Sequence, residues 1–249
     1  MQNNARQDKV ALVTGGARRI GAAIARRLHA SGMKLVIHFR TSDADAHALQ
    51  AELNAVREDS VVLVRGDLLD VDKCRHLVSQ CIQSCGRLDV IVNNASTFRP
   101  TPLGRASAAD WEELVGSNLR APFFLVQEAA AELKKNHGCV VNLVDIYGRL
   151  PLRDHAIYSA AKGGLIALTR ALAAELAPEA RVNAVAPGAI LWPQGDDDEL
   201  SHQRIISNTP LKRTGSPEEI AEAVLFLVQG AGFTSGHVLP VDGGRSEIG

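Results

Sequence analysis

Short apolar runs alternate with longer amphipathic stretches along the whole chain. "KVALVTGG", "KLVIHF", "SVVLVRGD", "LDVIVNNAS", "CVVNLV", "RVNAVAPG" and "HVLPVDGG" each carry consecutive apolar residues rather than an in–out alternation. Strands of that kind are buried on both faces, the condition of a parallel sheet covered by helices. The stretches between them have helical spacing. "IGAAIARRLHASG" should stop at Gly32, "SDADAHALQAELNAV" should be capped by Ser42 or Asp43, and "VDKCRHLVSQCIQSCG" follows the third strand. "SAADWEELVGSNLRAPFFLVQEAAAELKKNHG" reads as mostly helical with an interruption near Asn118, "AIYSAAKGGLIALTRALAAELA" as one long helix, and "PEEIAEAVLFLV" as a helix opened by Pro217. A loop with a short helix runs over 189–215. No linker, repeat or low-complexity tract interrupts this order. The pattern predicts one doubly wound α/β domain over residues 1–249, with about seven parallel strands and helices on both faces.

Composition narrows the partners. The 249 residues are 46 % hydrophobic and 22 % charged, with a net charge of −1 and no long basic block. That argues against nucleic acid or an anionic membrane as the main partner. The polar start "MQNNARQDKV" lacks the apolar stretch of a secretion signal, and no apolar run approaches bilayer length, so a soluble, cytoplasmic protein is expected. Cys74, Cys81 and Cys85 share one helix face and Cys139 opens a strand, a spacing that suits buried apolar residues better than a metal site. The acidic "GDDDE" (Gly195–Glu199) reads as solvated helix-start charge, and the histidines, His38 and His155 among them, have no metal or triad spacing. No metal is expected.

Chemistry gathers at the carboxyl ends of the expected strands. "VTGGARRIG" follows the first strand and opens the first helix, where Gly15 and its neighbours Arg18, Arg19 and Ile20 would admit a phosphate to backbone N–H groups. Glycine in a tight strand–helix turn is weak support alone; its place in the first βα unit is what favours a dinucleotide. Asp67 and Leu68 after the third strand would meet the adenine, Asn93, Asn94 and Ala95 after the fourth the ribose and nicotinamide, and Pro187 and Gly188 after the sixth the nicotinamide pocket. The second strand ends "HFRTS". His38, Phe39, Arg40, Thr41 and Ser42 offer a guanidinium and two hydroxyls where an acidic residue would bind the 2′-hydroxyl of NAD. NADPH/NADP+ is therefore the expected cofactor.

Tyr158 and Lys162 lie one helical turn apart after the fifth strand. Free tyrosine has a pKa of about 10, and a nearby ammonium and an oxidised nicotinamide should draw the phenol towards useful acidity. With these residues the chain resembles the short-chain dehydrogenases/reductases over essentially its whole length, up to "VDGG". The resemblance implies an active site of Asn118, a strand-five hydroxyl, Tyr158 and Lys162, with Asn118 holding a water that links Lys162 to solvent, and it implies a homotetramer. Two positions depart from the family pattern, since Arg19 stands where glycine is usual and Asp145 where serine is usual.

Those departures, with "RRIG", "NNAS" and "STFRPTPL", are similar to the pteridine reductase subgroup. That similarity implies a pterin between Phe98 and the nicotinamide, Arg19 contacting pterin and phosphate, Ser96 bonding ligand or cofactor, and Leu191 and Trp192 walling the far end. Each residue also has a plainer role open to it: Phe98 as a loop anchor, Arg19 as surface charge, Ser96 as a turn residue, Asp145 as a turn cap or ion-pair partner of Arg149 or Arg153. A ketone reductase needs a hydroxyl for a carbonyl oxygen, whereas a pterin C=N bond needs a proton on nitrogen that Asp145 could relay through Tyr158. Hydride transfer from NADPH to a dihydropterin is the expected reaction, with oxidised pterins and folates left open. A 3-oxoacyl thioester reductase and a non-catalytic NADPH-binding sensor or scaffold are the alternatives.

Overall fold

The computed structural model describes residues 9–192 and 198–248. Residues 193–197, which take in part of the expected substrate loop and of "GDDDE", lie outside the described residues. Seven strands form one sheet: β1 (Val10–Val13), β2 (Lys34–Phe39), β3 (Val61–Arg65), β4 (Val90–Asn93), β5 (Cys139–Leu143), β6 (Arg181–Pro187) and β7 (Val238–Val241). Every neighbouring pair is parallel, in the order β3-β2-β1-β4-β5-β6-β7. The helices are α1 (Arg19–Ala30), α2 (Asp43–Val56), α3 (Val71–Cys85), α4 (Ala108–Val115), α5 (Ala121–Lys135), α6 (Ala156–Leu176), α7 (Glu199–Ser207), α8 (Pro217–Leu225) and α9 (Arg245–Ile248).

The strands read as continuous apolar runs because both faces are packed. Ala11, Val13, Leu35 and Ile37 meet Ile24 and Leu28 of α1 and Ile220 and Val224 of α8. Leu12, Val36, Ile91 and Val140 meet Leu77 of α3, Leu125 and Leu133 of α5 and Leu176 of α6. Cys74, Cys81 and Cys139 are buried in these layers, and desolvation pushes their thiols up to about 11, 12 and 11, so they stay protonated packing groups. Among the described residues no helix is long and apolar enough to cross a membrane, and no metal-binding cluster occurs.

Local chemistry sets the ends. Asp70 accepts from the N–H groups of Asp72 and Lys73 to start α3, and Gly86 at φ 74° ends it. Ser107 and Ser216 form capping boxes at α4 and α8, the latter with Pro217 in its first turn. Ser42 occupies the N-cap of α2 but its side chain makes no capping bond. The interruption expected near Asn118 is a five-residue π turn, Gly116–Arg120, between α4 and α5. A second π turn, Phe226–Gly230, and the short α9 were not foreseen.

Candidate active site

Strand order reverses direction at β1, whose neighbours are β2 and β4, and loops leaving the two sides diverge to open a crevice. A cleft of about 360 Å³ lies there. Its walls bring together Gly15, Arg18, Arg19 and Ile20 after β1, His38 to Ser42 at the end of β2, Asp67 and Leu68 after β3, and Ala95 and Ser96 after β4. Gly15 has φ 59° and lies so close to Ala95 that a Cβ would stand 3.0 Å from its Cα; at Gly21 a Cβ would stand 2.2 Å from the Gly15 carbonyl oxygen. Two glycines are thus fixed by close backbone approach. Helix α1 starts without a side-chain cap and without an acidic residue in its first turn, so its N-terminus presents free donors and positive partial charge to the cleft. Together with the arginines this donor set fits the phosphates of a dinucleotide.

Several expected contacts take a different form. His38 borders the cleft but is only 2 % exposed: Nδ1 accepts from Gly15 N–H at 3.2 Å, and Nε2 therefore carries the proton it donates to Gly66 O at 3.2 Å. Burial pushes its pKa down to about 4, so it stays a neutral clamp on the glycine turn. Asn93 is buried beneath the cleft and donates to Asn142 Oδ1 at 2.8 Å. Its neighbour Asn94 lines the wall and holds the turn by donating to Thr14 O at 2.9 Å and Gly15 O at 3.0 Å. Arg18 reaches Asp45 at 3.7 Å in an exposed pair, worth little. Arg40, Thr41 and Ser42 stand at the rim, with the carbonyl of Arg40 accepting from Arg65 Nε at 3.1 Å.

Arg19 adopts φ 53°, the left-handed region that favours glycine and costs a side-chain-bearing residue about 1–2 kcal/mol. Its guanidinium donates to Leu191 O at 3.3 Å and Trp192 O at 2.9 Å, tying the glycine turn to the segment after β6. Leu191 is exposed, and Trp192 stacks on His202 of α7 at 3.9 Å. Gly188 sits under the last strand, where a Cβ would stand 2.7 Å from Asp242 Cα, and Pro187 is buried at the end of β6.

The chain matches the family model described as enoyl-(acyl carrier protein) reductase over residues 15–246. It is 39 % identical to pteridine reductase 1 of Leishmania tarentolae, with 95 % of this chain and 96 % of that protein aligned. It is 38 % identical to a putative ketoacyl reductase 2 of granaticin polyketide synthase from Streptomyces violaceoruber, over 98 % of each. To a 3-oxoacyl-[acyl-carrier-protein] reductase of Synechocystis it is 36 % identical, over 95 % of this chain and 96 % of that protein. This protein is a short-chain dehydrogenase/reductase. Its family relatives are oxidoreductases that work with NAD(P)H.

At the family's catalytic position, Tyr158 donates from its hydroxyl to Asp145 Oδ2 at 2.7 Å. The other carboxylate oxygen accepts from Tyr147 N–H at 2.9 Å, capping the 3₁₀ turn Ile146–Gly148. Asp145 thus caps a turn and engages the phenol at once, and forms no recorded ion pair with Arg149 or Arg153 among the described residues. Burial raises its pKa against the opposing pull of the Tyr147 and Tyr158 bonds, Lys162 and Arg245. Lys162 is fully buried, donates to Leu143 O at 2.8 Å, and is pushed down to about 8 by desolvation. Its Nζ lies 5.7 Å from the centroid of the Tyr158 ring.

The protein's own groups oppose ionisation of the phenol. Burial first, then the charge and hydrogen bond of Asp145, hold the Tyr158 phenol well above its ordinary range, and the neighbouring Ser96 hydroxyl only partly offsets this. In this arrangement Tyr158 is a firmly neutral phenol. Asn118, 1 % exposed in the π turn, accepts from Ser96 Oγ at 2.7 Å and donates to Thr97 O and Leu114 O, both at 2.9 Å. It therefore braces the loop after β4. Phe98 is 41 % exposed and meets the Tyr158 ring edge-on at 4.8 Å. It also stacks on His155 at 4.7 Å with planes 14° apart. Tyr147 and Arg245 escaped the sequence reading, and His155 was read as having no role. Only His155 carried a usable signal, three residues before Tyr158 at the start of α6.

Proposed function

We propose that this short-chain reductase is an NADPH-dependent pteridine reductase that reduces a C=N bond of a dihydropterin. The observation that carries the proposal is the 2.7 Å bond between Tyr158 and Asp145, with Phe98 edge-on to the same phenol. Arg40, Thr41 and Ser42 would hold a 2′-phosphate and the α1 N-terminus the pyrophosphate. A reduced nicotinamide, when bound, supplies the hydride to the ring carbon.

The ring nitrogen must gain a proton at the same time, and Tyr158 is the donor. A phenolate left next to an ionised Asp145 would be penalised twice, by burial and by like charge. In its acid form Asp145 removes that penalty, because it can donate back to the phenolate as the phenol gives up its proton. The raised pKa of Asp145 enlarges the acid fraction. Lys162, fixed by Leu143 O, supplies positive charge 5.7 Å from the Tyr158 ring centroid below about pH 8. Phe98, 41 % exposed, offers aromatic surface to a flat heterocycle.

A second reading, a ketone reductase of 3-oxoacyl thioester type, draws support from relatives of nearly equal identity. The carboxylate weighs against it. A carbonyl oxygen gathers negative charge during reduction, and Asp145 when ionised would oppose that charge. The deciding measurement is NADPH oxidation with dihydrobiopterin, dihydromonapterin, dihydrofolate and an acetoacetyl thioester side by side. Fast turnover of a dihydropterin and slow turnover of the thioester is the expected result. The opposite ranking overturns the pterin reading, and tight NADPH binding without any turnover would make the protein a binder.

A further inference from the structure

Arg245 opens the short α9 directly after the last strand, in a turn held from several sides. Asp242 accepts from Gly244 N–H at 2.9 Å and from Ser246 N–H at 2.7 Å. Gly243 and Gly244 both have positive φ, and added Cβ atoms would stand 2.7 Å from Thr209 Cγ2 and 3.2 Å from Pro210 Cγ. The Gly243 carbonyl accepts from Leu211 N–H at 3.2 Å. On the other flank, Gly188 donates to Val241 O at 3.0 Å and leaves room for the Asp242 backbone. The turn is wedged between the end of β6 and the α7–α8 connection. Its position is over-determined, so the side chain it carries is delivered to a fixed place.

That place is above Tyr147. The Arg245 guanidinium carbon lies 5.7 Å from the Tyr147 ring centroid, within cation–π range. Tyr147 donates its backbone N–H to one oxygen of Asp145, and the other oxygen holds the Tyr158 hydroxyl. We propose that Arg245 is a positioning residue for the catalytic carboxylate: it rests on Tyr147, whose N–H holds Asp145, and adds a permanent positive charge to the surroundings of that carboxyl. This rests on the catalytic role of Asp145 proposed above.

The groups facing Asp145 are Tyr147 on its own turn, Tyr158 and Lys162 on α6, and Arg245 on α9. Tyr147 and Tyr158 act through hydrogen bonds, and the two cations act through charge. The cations are not equivalent. Lys162 loses its proton around pH 8, whereas a guanidinium keeps its charge throughout the working range. Burial alone favours the acid form of Asp145. Arg245 supplies the opposing bias at every pH, so that the carboxyl can both give up and regain a proton.

The test is an infrared titration of the Asp145 carboxylic C=O band in the full-length protein, using Asp145→Asn to identify the band. It needs no substrate, so it stands even if the pterin assay fails. Arg245→Gln should raise the midpoint measurably, and Arg245→Lys should leave it near the wild-type value. In turnover of whichever substrate the enzyme accepts, the alkaline limb of kcat should move up with the midpoint in Arg245→Gln alone. Should Arg245→Gln fail to fold, Tyr147→Leu removes the ring beneath the guanidinium and should raise the midpoint in the same direction. An unchanged midpoint in the available variant, or a fall in kcat with no displacement of the limb, would overturn the assignment.

Discussion

The two ends of the cleft are built on different physics. The end formed by β1, β2 and β3 works by shape and open donors: two glycines in close backbone approach, an uncapped helix N-terminus, and arginines at the rim. The buried imidazole of His38 is kept neutral and serves as a clamp. The end formed by β5 and α6 works by desolvation. Asp145, Tyr158 and Lys162 are all driven towards their uncharged forms, chiefly by burial. An enzyme divided in this way should lose binding and chemistry separately, because the ends share few side chains.

The sharpest way to break that division is Tyr158→Phe. Removing the hydroxyl that donates to Asp145 should lower kcat by roughly 10³-fold and leave the NADPH dissociation constant within about twofold. Fluorescence titration of NADPH beside steady-state turnover measures both. A large loss of nucleotide affinity would show that the phenol also organises the cofactor end.

Lys162 offers the next largest effect, and its sign can be worked out. Its pKa in the fold is about 8, below the value near 10.5 expected once unfolded. Between these values the unfolded chain binds more protons, so stability rises with pH across that window. The full penalty of burying the ammonium is present below about pH 8 and amounts to about 3 kcal/mol. Lys162→Met should remove it, less about 1 kcal/mol for the lost bond to Leu143 O. The variant should therefore be inactive yet more stable than the wild type at pH 7, with the gap closing as pH climbs from 8 to 10.5. Urea melts at pH 7 and pH 10 test this. A less stable variant at pH 7 would mean that the hydrogen bond outweighs desolvation.

Asp145→Ser restores the residue usual in the family. It should cut dihydropterin turnover by about 10²-fold, because the donor that returns a proton to the phenolate is gone. The phenol should also ionise at lower pH, since a neighbouring negative charge has been removed. Absorbance of tyrosinate against pH, read as a difference from Tyr158→Phe, reports the second effect independently of substrate. Equal dihydropterin turnover in Asp145→Ser and wild type would refute the relay.

The contrast between the two ends also explains what the sequence disclosed. The doubly wound order was legible because strands packed on both faces must read as unbroken apolar runs, as in "VALV" and "CVVNL". The cofactor end was legible for a related reason: its requirements are steric, and glycine and strand position record steric requirements directly. Asn93 and Asn94 show the limit of spacing, because a residue at a strand end can point into the cleft or beneath it, and two neighbouring asparagines look alike in sequence. At the catalytic end Tyr158, Lys162 and Asp145 were visible by spacing, but the direction of the Tyr158 shift was not. It depends on burial and on how close Asp145 lies, which no spacing encodes. Arg245 lies 100 residues from Asp145 in sequence, and only the wedged turn brings it near.

The smallest expected effect tests the cofactor end alone. Arg40 is exposed, stands at the cleft rim, and has its backbone carbonyl fixed by Arg65, so its side chain is free to meet a ligand without supporting the fold. Arg40→Ser should raise the NADPH KM by about tenfold, equivalent to about 1.4 kcal/mol for one charge-assisted contact. The NADH KM and kcat with either cofactor should stay within about twofold, because the lost partner would be the 2′-phosphate alone. Raising ionic strength from 50 to 300 mM should weaken NADPH binding in the wild type and do so less in the variant, since an exposed ion pair is screened by salt. If Arg40→Ser lowered kcat instead, a rim arginine would be reaching the proton-transfer end, and the separation of shape from desolvation would fail at its most exposed point.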